Sequence, residues 1–258
     1  MTTRRRRIDV LAATAALTAF FSLGRVGAQD TPAPDRARGR HLATALAGCA
    51  DCHGATFAGG RAFTRGGQTV YAANLTGGAG GIAASTDADL RRAIRTGVRP
   101  DGTRLSVMPA REYAVMTDGD VDALIAFLRS LRPVDNVIPR GAAPPAPSLS
   151  PGARPPDGDE RPPLLTVGAY LATIGGCTNC HGANLAGGRR IGDAVAPNIS
   201  RDGIGSWSYA DFQTAMRTGK TPDGRMLSKV MPWETFGKMT DDELRALYDF
   251  LGSKPDTN

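Results

Sequence analysis

The chain has 258 residues, of which 41% are hydrophobic, 6% aromatic and 22% charged, and its formal net charge is +6. That length fits one or two compact domains, and the charge by itself would admit a nucleic-acid partner. The excess of cations sits at the start, however: the first 28 residues hold five Arg and one Asp, so the remainder carries only +2. Nucleic-acid binding thereby loses its main support.

Arg4 to Arg7 are followed by an apolar run from Ile8 to Leu23, interrupted by Asp9, and then by Val26-Gly27-Ala28. This basic, apolar, small-residue order predicts a signal peptide over 1–28, cleaved after Ala28, and hence an exported, periplasmic protein. The 16-residue run is shorter than the roughly 20 residues of a membrane-spanning helix, so an uncleaved anchor is the weaker reading. No later stretch is apolar for long enough to span a bilayer.

A helix is expected through Arg40–Leu46, leading into Cys49-Ala50-Asp51-Cys52-His53, and another through Tyr170–Ile174, leading into Cys177-Thr178-Asn179-Cys180-His181. The two C-x-x-C-H copies use all four cysteines. Two thiols at this spacing project to one side of a short turn, where each can add across a porphyrin vinyl group, and the next residue offers an imidazole to the iron. A zinc half-site, a redox dithiol or a disulfide would also use C-x-x-C. A zinc site built from both copies would have to close a loop of well over a hundred residues, and a redox dithiol would not explain His after both second cysteines; the chain also has an export signal and no spare thiol. The prediction is two covalently bound haem c groups, held by Cys49, Cys52 and His53 and by Cys177, Cys180 and His181.

Landmarks after each motif recur in order. Gly54-Ala55 and Ala58-Gly59-Gly60-Arg61 match Gly182-Ala183 and Ala186-Gly187-Gly188-Arg189. Asn74-Leu75 matches Asn198-Ile199, Ala93-Ile94-Arg95-Thr96-Gly97 matches Ala215-Met216-Arg217-Thr218-Gly219, and Met108-Pro109 matches Met231-Pro232. This is duplication of a whole domain. Ser85 and Thr86 precede one helix and Gly97 stops it; Ser208 with Asp211 opens its counterpart, which Gly219 stops. Thr117 with Asp120, and Thr240 with Glu243, open final helices whose apolar positions, Val121, Leu124, Ile125, Leu128 and Leu131 in one and Leu244, Leu247, Tyr248 and Leu251 in the other, fall at helical spacing. No convincing strand appears. Residues 139–163 hold nine of the 18 prolines and read as a semi-extended linker. The expected fold is all-α, with domains over 37–132 and 164–254 in which haem forms much of each core.

A six-coordinate iron needs one further ligand. Only His41 remains after His53 and His181, and its counterpart is Ala169, so His41 reads as a surface or core-edge residue. Met108 and Met231, each before a proline in a Gly- and Pro-containing loop, are the preferred metal ligands. Met116 and Met239 are the rivals, although their place before a helix cap suits a hydrophobic staple. Met216 and Met226 are assigned to packing or the haem edge. Arg95 and Arg217 suit either haem propionates or an exposed helix face, and Trp207 and Trp233 suit haem packing, a propionate bond or core burial.

Taken together, C-x-x-C-H, Arg-Thr-Gly, Pro-Asp-Gly, Met-Pro and a final helix opened by Met-Thr-Asp resemble class I c-type cytochrome domains. The second repeat, with Pro197-Asn198-Ile199, Gly203-Ile204-Gly205-Ser206-Trp207, Pro222-Asp223-Gly224-Arg225 and Met231-Pro232-Trp233, is especially similar to cytochrome subunits of bacterial membrane-bound alcohol, sugar-acid and aldehyde dehydrogenases. The resemblance implies a periplasmic electron carrier between a donor dehydrogenase and an acceptor cytochrome or oxidase, with scope for peripheral membrane association and no catalytic residue of its own. The alternative is a dihaem oxidoreductase, of peroxidase or thiosulfate type, with one open haem site. Gly-rich Thr76–Gly81 replaces Arg201–Trp207, and Ala110 replaces Trp233, so the two haems are expected to differ in exposure and potential.

Overall fold

A computed structural model of the chain describes residues 35–65, 67–139 and 166–253. The expected signal peptide and nearly all of the expected linker lie outside the described residues.

Asp35 opens the first repeat by accepting the Ala37 and Arg38 amides on its side chain, so α1 (Arg36–His41) starts earlier than the apolar pattern alone indicated. The chain continues as a π-helical turn, Leu42–Leu46, whose two leucines are fully buried. Then follow α2 (Cys49–His53), α3 (Asp87–Thr96), α4 (Ala110–Tyr113) and α5 (Asp118–Arg129). The second repeat runs α6 (Val167–Ile174), α7 (Cys177–His181), α8 (Arg201–Ile204), α9 (Tyr209–Thr218), α10 (Trp233–Phe236) and α11 (Asp241–Gly252).

Capping follows the sequence closely. Thr86 with Asp89 and Ser208 with Asp211 form complete capping boxes on α3 and α9, and both helices end at a left-handed glycine, Gly97 and Gly219. Thr240 and Glu243 form the box on α11, whereas on α5 only Thr117 caps, by accepting the Asp120 amide. The Asp120 carboxylate is engaged elsewhere.

Mostly helical architecture holds, but the expectation of no strands is corrected by two antiparallel hairpins. β1 (Ala62–Arg65) pairs with β2 (Gln68–Tyr71), and β3 (Arg190–Ile191) pairs with β4 (Ala194–Val195). Strands of two to four residues are too short to produce a readable alternation.

In each repeat the final helix crosses the leading one, α5 on α1 and α11 on α6. A Cβ on Gly39 would lie 1.9 Å from the Ala123 carbonyl oxygen, and one on Gly168 would lie 2.1 Å from that of Ala246. Only glycine permits backbones to approach this closely. Leu42, Leu46, Val121 and Leu124 close the first core, and Leu171, Ile174, Leu244 and Leu247 the second.

The repeats also pack on each other. The π-helical turn of the first meets α10 of the second, and α4 meets α6. Arg38 holds Asp120 through two nitrogens, at 2.8 and 3.0 Å, and reaches Glu243 of the second repeat at 3.1 Å. His41 Nε2 lies 2.7 Å from the other Glu243 oxygen, and the Tyr170 hydroxyl donates to Asp120 at 2.5 Å. His41 is therefore an inter-repeat contact rather than a bystander at the surface.

Candidate functional site

Each attachment motif forms one helical turn entered through a left-handed glycine, Gly48 before α2 and Gly176 before α7. The turn brings both cysteines and the following histidine onto a single element, and all four cysteines are free, half-buried thiols. Burial pushes the thiols of Cys49 and Cys177 up to about 12.

The histidines are oriented by carbonyls on the segment that follows each hairpin. His53 Nδ1 lies 2.7 Å from the Ala73 oxygen, and His181 Nδ1 lies 2.7 Å from the Pro197 oxygen. A carbonyl only accepts, so Nδ1 carries the proton and Nε2 keeps its lone pair for a metal. Burial lowers both imidazole pKa values, against the opposing effect of those hydrogen bonds, and favours the neutral form that ligates.

Two matched features bring these carbonyls close. Cβ atoms on Gly59 and Gly187 would lie 2.4 Å from Ala73 O and Pro197 C, so a side chain there would displace the segment. Phe57 and Leu185, both buried, adopt left-handed backbone at φ 58° and 65°, and their carbonyls accept the Leu75 and Ile199 amides at 2.8 and 2.9 Å. The Asn74 and Asn198 side chains then accept from Thr76 and Ser200 two residues on, a paired Asx turn. Asn74 was visible as a repeat landmark; the backbone role of Phe57 and Leu185 was hidden, because the two residues differ chemically.

Arg61 and Arg189 donate to the backbone carbonyls of Asp51 and Asn179 inside the attachment turns. The two arginines are a matched pair of the repeats whose role is not visible in the sequence. Arg95 and Arg217 brace the elements that follow their helices: Arg95 donates to Ala114 O at 3.0 Å and Asp118 at 2.7 Å, and Arg217 to Gly237 O and to Asp241 at 2.7 Å, while Arg95 Nε stays buried without a protein acceptor.

The four candidate methionines separate by burial. Met116 and Met239 are 0% and 2% exposed within the helical cores, whereas Met108 and Met231 are partly exposed on their loops, before α4 and α10. Met216 is buried and Met226 is 61% exposed.

The residues present fit a haem. Two thiols and a tautomerically fixed imidazole share each turn, and Trp233, next but one to Met231, buries an indole N–H with no protein acceptor. A zinc ribbon is not supported: no cluster of three or more His, Cys, Asp or Glu able to hold a metal ion is found among the described residues. No helix among them is long and apolar enough to cross a membrane.

This arrangement, present twice, is that of a cytochrome c domain. Residues 34–128 match the family described as cytochrome C oxidase, cbb3-type, subunit III, and residues 167–254 match the family described as cytochrome c. The chain is a dihaem c-type cytochrome with two domains in tandem, and its cofactor is covalently bound haem c.

Among known proteins it resembles cytochrome subunits of dehydrogenases. It is 32% identical to the fructose dehydrogenase cytochrome subunit of Gluconobacter japonicus, over 95% of this chain and 59% of that one. Identity is 38% to the cytochrome c subunit of the quinone alcohol dehydrogenase of Gluconacetobacter polyoxogenes, over 40% of this chain and 24% of the relative. To the gluconate 2-dehydrogenase cytochrome c subunit of Pantoea cypripedii it is 37%, over 34% and 22%. The chain thus spans less than two thirds of each of these relatives.

Proposed function

We propose that the chain is a periplasmic electron carrier that accepts electrons from a dehydrogenase and delivers them to an acceptor cytochrome or oxidase. Cys49, Cys52, Cys177 and Cys180 would tether the two haems, and His53 with Met108 and His181 with Met231 would ligate their irons. Bound haem supplies a one-electron Fe(III)/Fe(II) couple. The polypeptide supplies a fixed tautomer, a sulfur presented from a Pro-anchored loop, and burial that limits access to other ligands.

The observation carrying this reading is the duplicated His–carbonyl bond, which leaves Nε2 free in both domains. Burial of the rival methionines in the cores supports Met108 and Met231. The dehydrogenase relatives support the donor class. The test is spectroscopic: in the ferrous protein both irons are expected to be six-coordinate and slow to bind carbon monoxide. Ready binding at either haem of the native protein would favour an oxidoreductase with an open site.

A further inference from the structure

The carrier reading requires electrons to cross between domains, and one contact joins the two haem-bearing segments directly. Thr235 Oγ1 donates to Asp51 Oδ1 at 2.6 Å. Asp51 lies between the two cysteines of the first attachment turn, and Thr235 lies on α10, which begins two residues after Met231. Thr235 is 5% exposed, and its methyl group would lie 3.8 Å from a Cβ on Gly48, the residue that opens the attachment turn. The Arg38 and His41 contacts with Glu243, the Tyr170 contact with Asp120 and the bond from Lys238 Nζ to Thr44 O at 3.3 Å also cross between repeats, but none of them involves a residue of either attachment turn.

The bond has no symmetric counterpart. Asn179 occupies the place of Asp51 in the second turn, and among the described residues its side chain makes no hydrogen bond to the first repeat. The helical packing at the seam is matched, the π-helical turn on α10 and α4 on α6, but this hydrogen bond is present on one side only. One attachment turn is tied to the other domain's Met-bearing segment.

We propose that Asp51 and Thr235 are positioning residues for electron exchange between the domains, a role that rests on the carrier reading. Electronic coupling falls steeply with the width of a gap, and a part-buried 2.6 Å hydrogen bond removes the gap at the place where the two haem-bearing segments meet. With both haems bound, the exchange would pass one electron from the ferrous iron of one domain to the ferric iron of the other. No bond to protein forms or breaks, and no proton needs to move.

The experiment uses the full chain carrying both haems, reduced by less than one electron per molecule in a flash and followed as the electron redistributes. Thr235→Val keeps the shape and removes the donor; it is expected to slow redistribution several-fold while leaving both midpoint potentials unchanged. Thr235→Ser restores the rate. Asp51→Asn retains an acceptor and stays near the native rate, whereas Asp51→Ala slows exchange as Thr235→Val does. Amide hydrogen exchange over Cys49–His53 reports loss of the contact independently and should quicken in Thr235→Val. A native redistribution rate in Thr235→Val, with that quickening observed, overturns the proposal and leaves the carrier reading intact. Carbon monoxide binding to the native ferrous chain would instead remove the carrier reading.

Discussion

His53 and His181 show how much a single hydrogen bond decides. With Nδ1 committed to Ala73 O or Pro197 O, each ring has one nitrogen left for a metal and one orientation in which to offer it. The methionines divide in the same way by surroundings, and this makes the ligand assignment testable. Met231→Ala is expected to open the second haem to carbon monoxide and lower its potential, with the first haem little changed. Met239→Ala removes a core side chain that is 2% exposed and should cost about 2–5 kcal/mol in stability while leaving the spectrum native. Denaturant titration and ferrous spectra of the two variants separate these roles; a spectral change only in Met239→Ala would reverse the assignment.

Among the elements, the crossing of leading and final helices is the most sterically demanding feature. A methyl group at Gly39 would lie 1.9 Å from Ala123 O and one at Gly168 would lie 2.1 Å from Ala246 O, both against backbone that cannot rotate away. Gly39→Ala and Gly168→Ala should each destabilise the protein by about 3 kcal/mol, read as a lowered denaturant midpoint. Replacing an exposed helical residue such as Arg92 with Ala should change it by less than about 0.5 kcal/mol. Capping signals were legible here because Ser, Thr, Asp and Glu act on amides three residues away. The hairpins were not legible, because their pairing is too short for a pattern and rests on turn geometry.

For the molecule as a whole, the seam between repeats makes stability depend on acid. Burial works to raise the Asp120 pKa, but bonds from Arg38 and Tyr170 outweigh it and leave it lowered. Glu243 is lowered likewise, with burial opposed by the His41 bond, the Thr240 amide and the Arg38 charge. A carboxylate held below its unfolded value adds stability that is fully present above the unfolded range, about pH 4, and is lost as pH falls through the folded value. Thermal unfolding scanned from neutral to acid pH should therefore show the native chain losing stability more steeply than Asp120→Asn/Glu243→Gln, the gap closing at low pH. At neutral pH the double variant should be less stable by about 1–3 kcal/mol, since it leaves Arg38 half-buried without a charged partner. Equal pH slopes would show that these carboxylates contribute nothing to the seam.

What the sequence determined by itself was everything encoded within a few residues. The attachment turns, the duplicated landmarks, the caps of α3, α9 and α11, and the periodic faces of α5 and α11 depend on chemistry at fixed short spacing. Only the tertiary structure decided which carbonyl orients each histidine, why Phe57 and Leu185 take left-handed backbone, and why Asp120 abandons its capping box for Arg38 and Tyr170. It also turned His41 from an isolated residue into a partner of Glu243, and brought Asp51 to Thr235. The reason is physical: these partners are distant in sequence, and their side chains become neighbours only once two helical cores have closed and packed against each other.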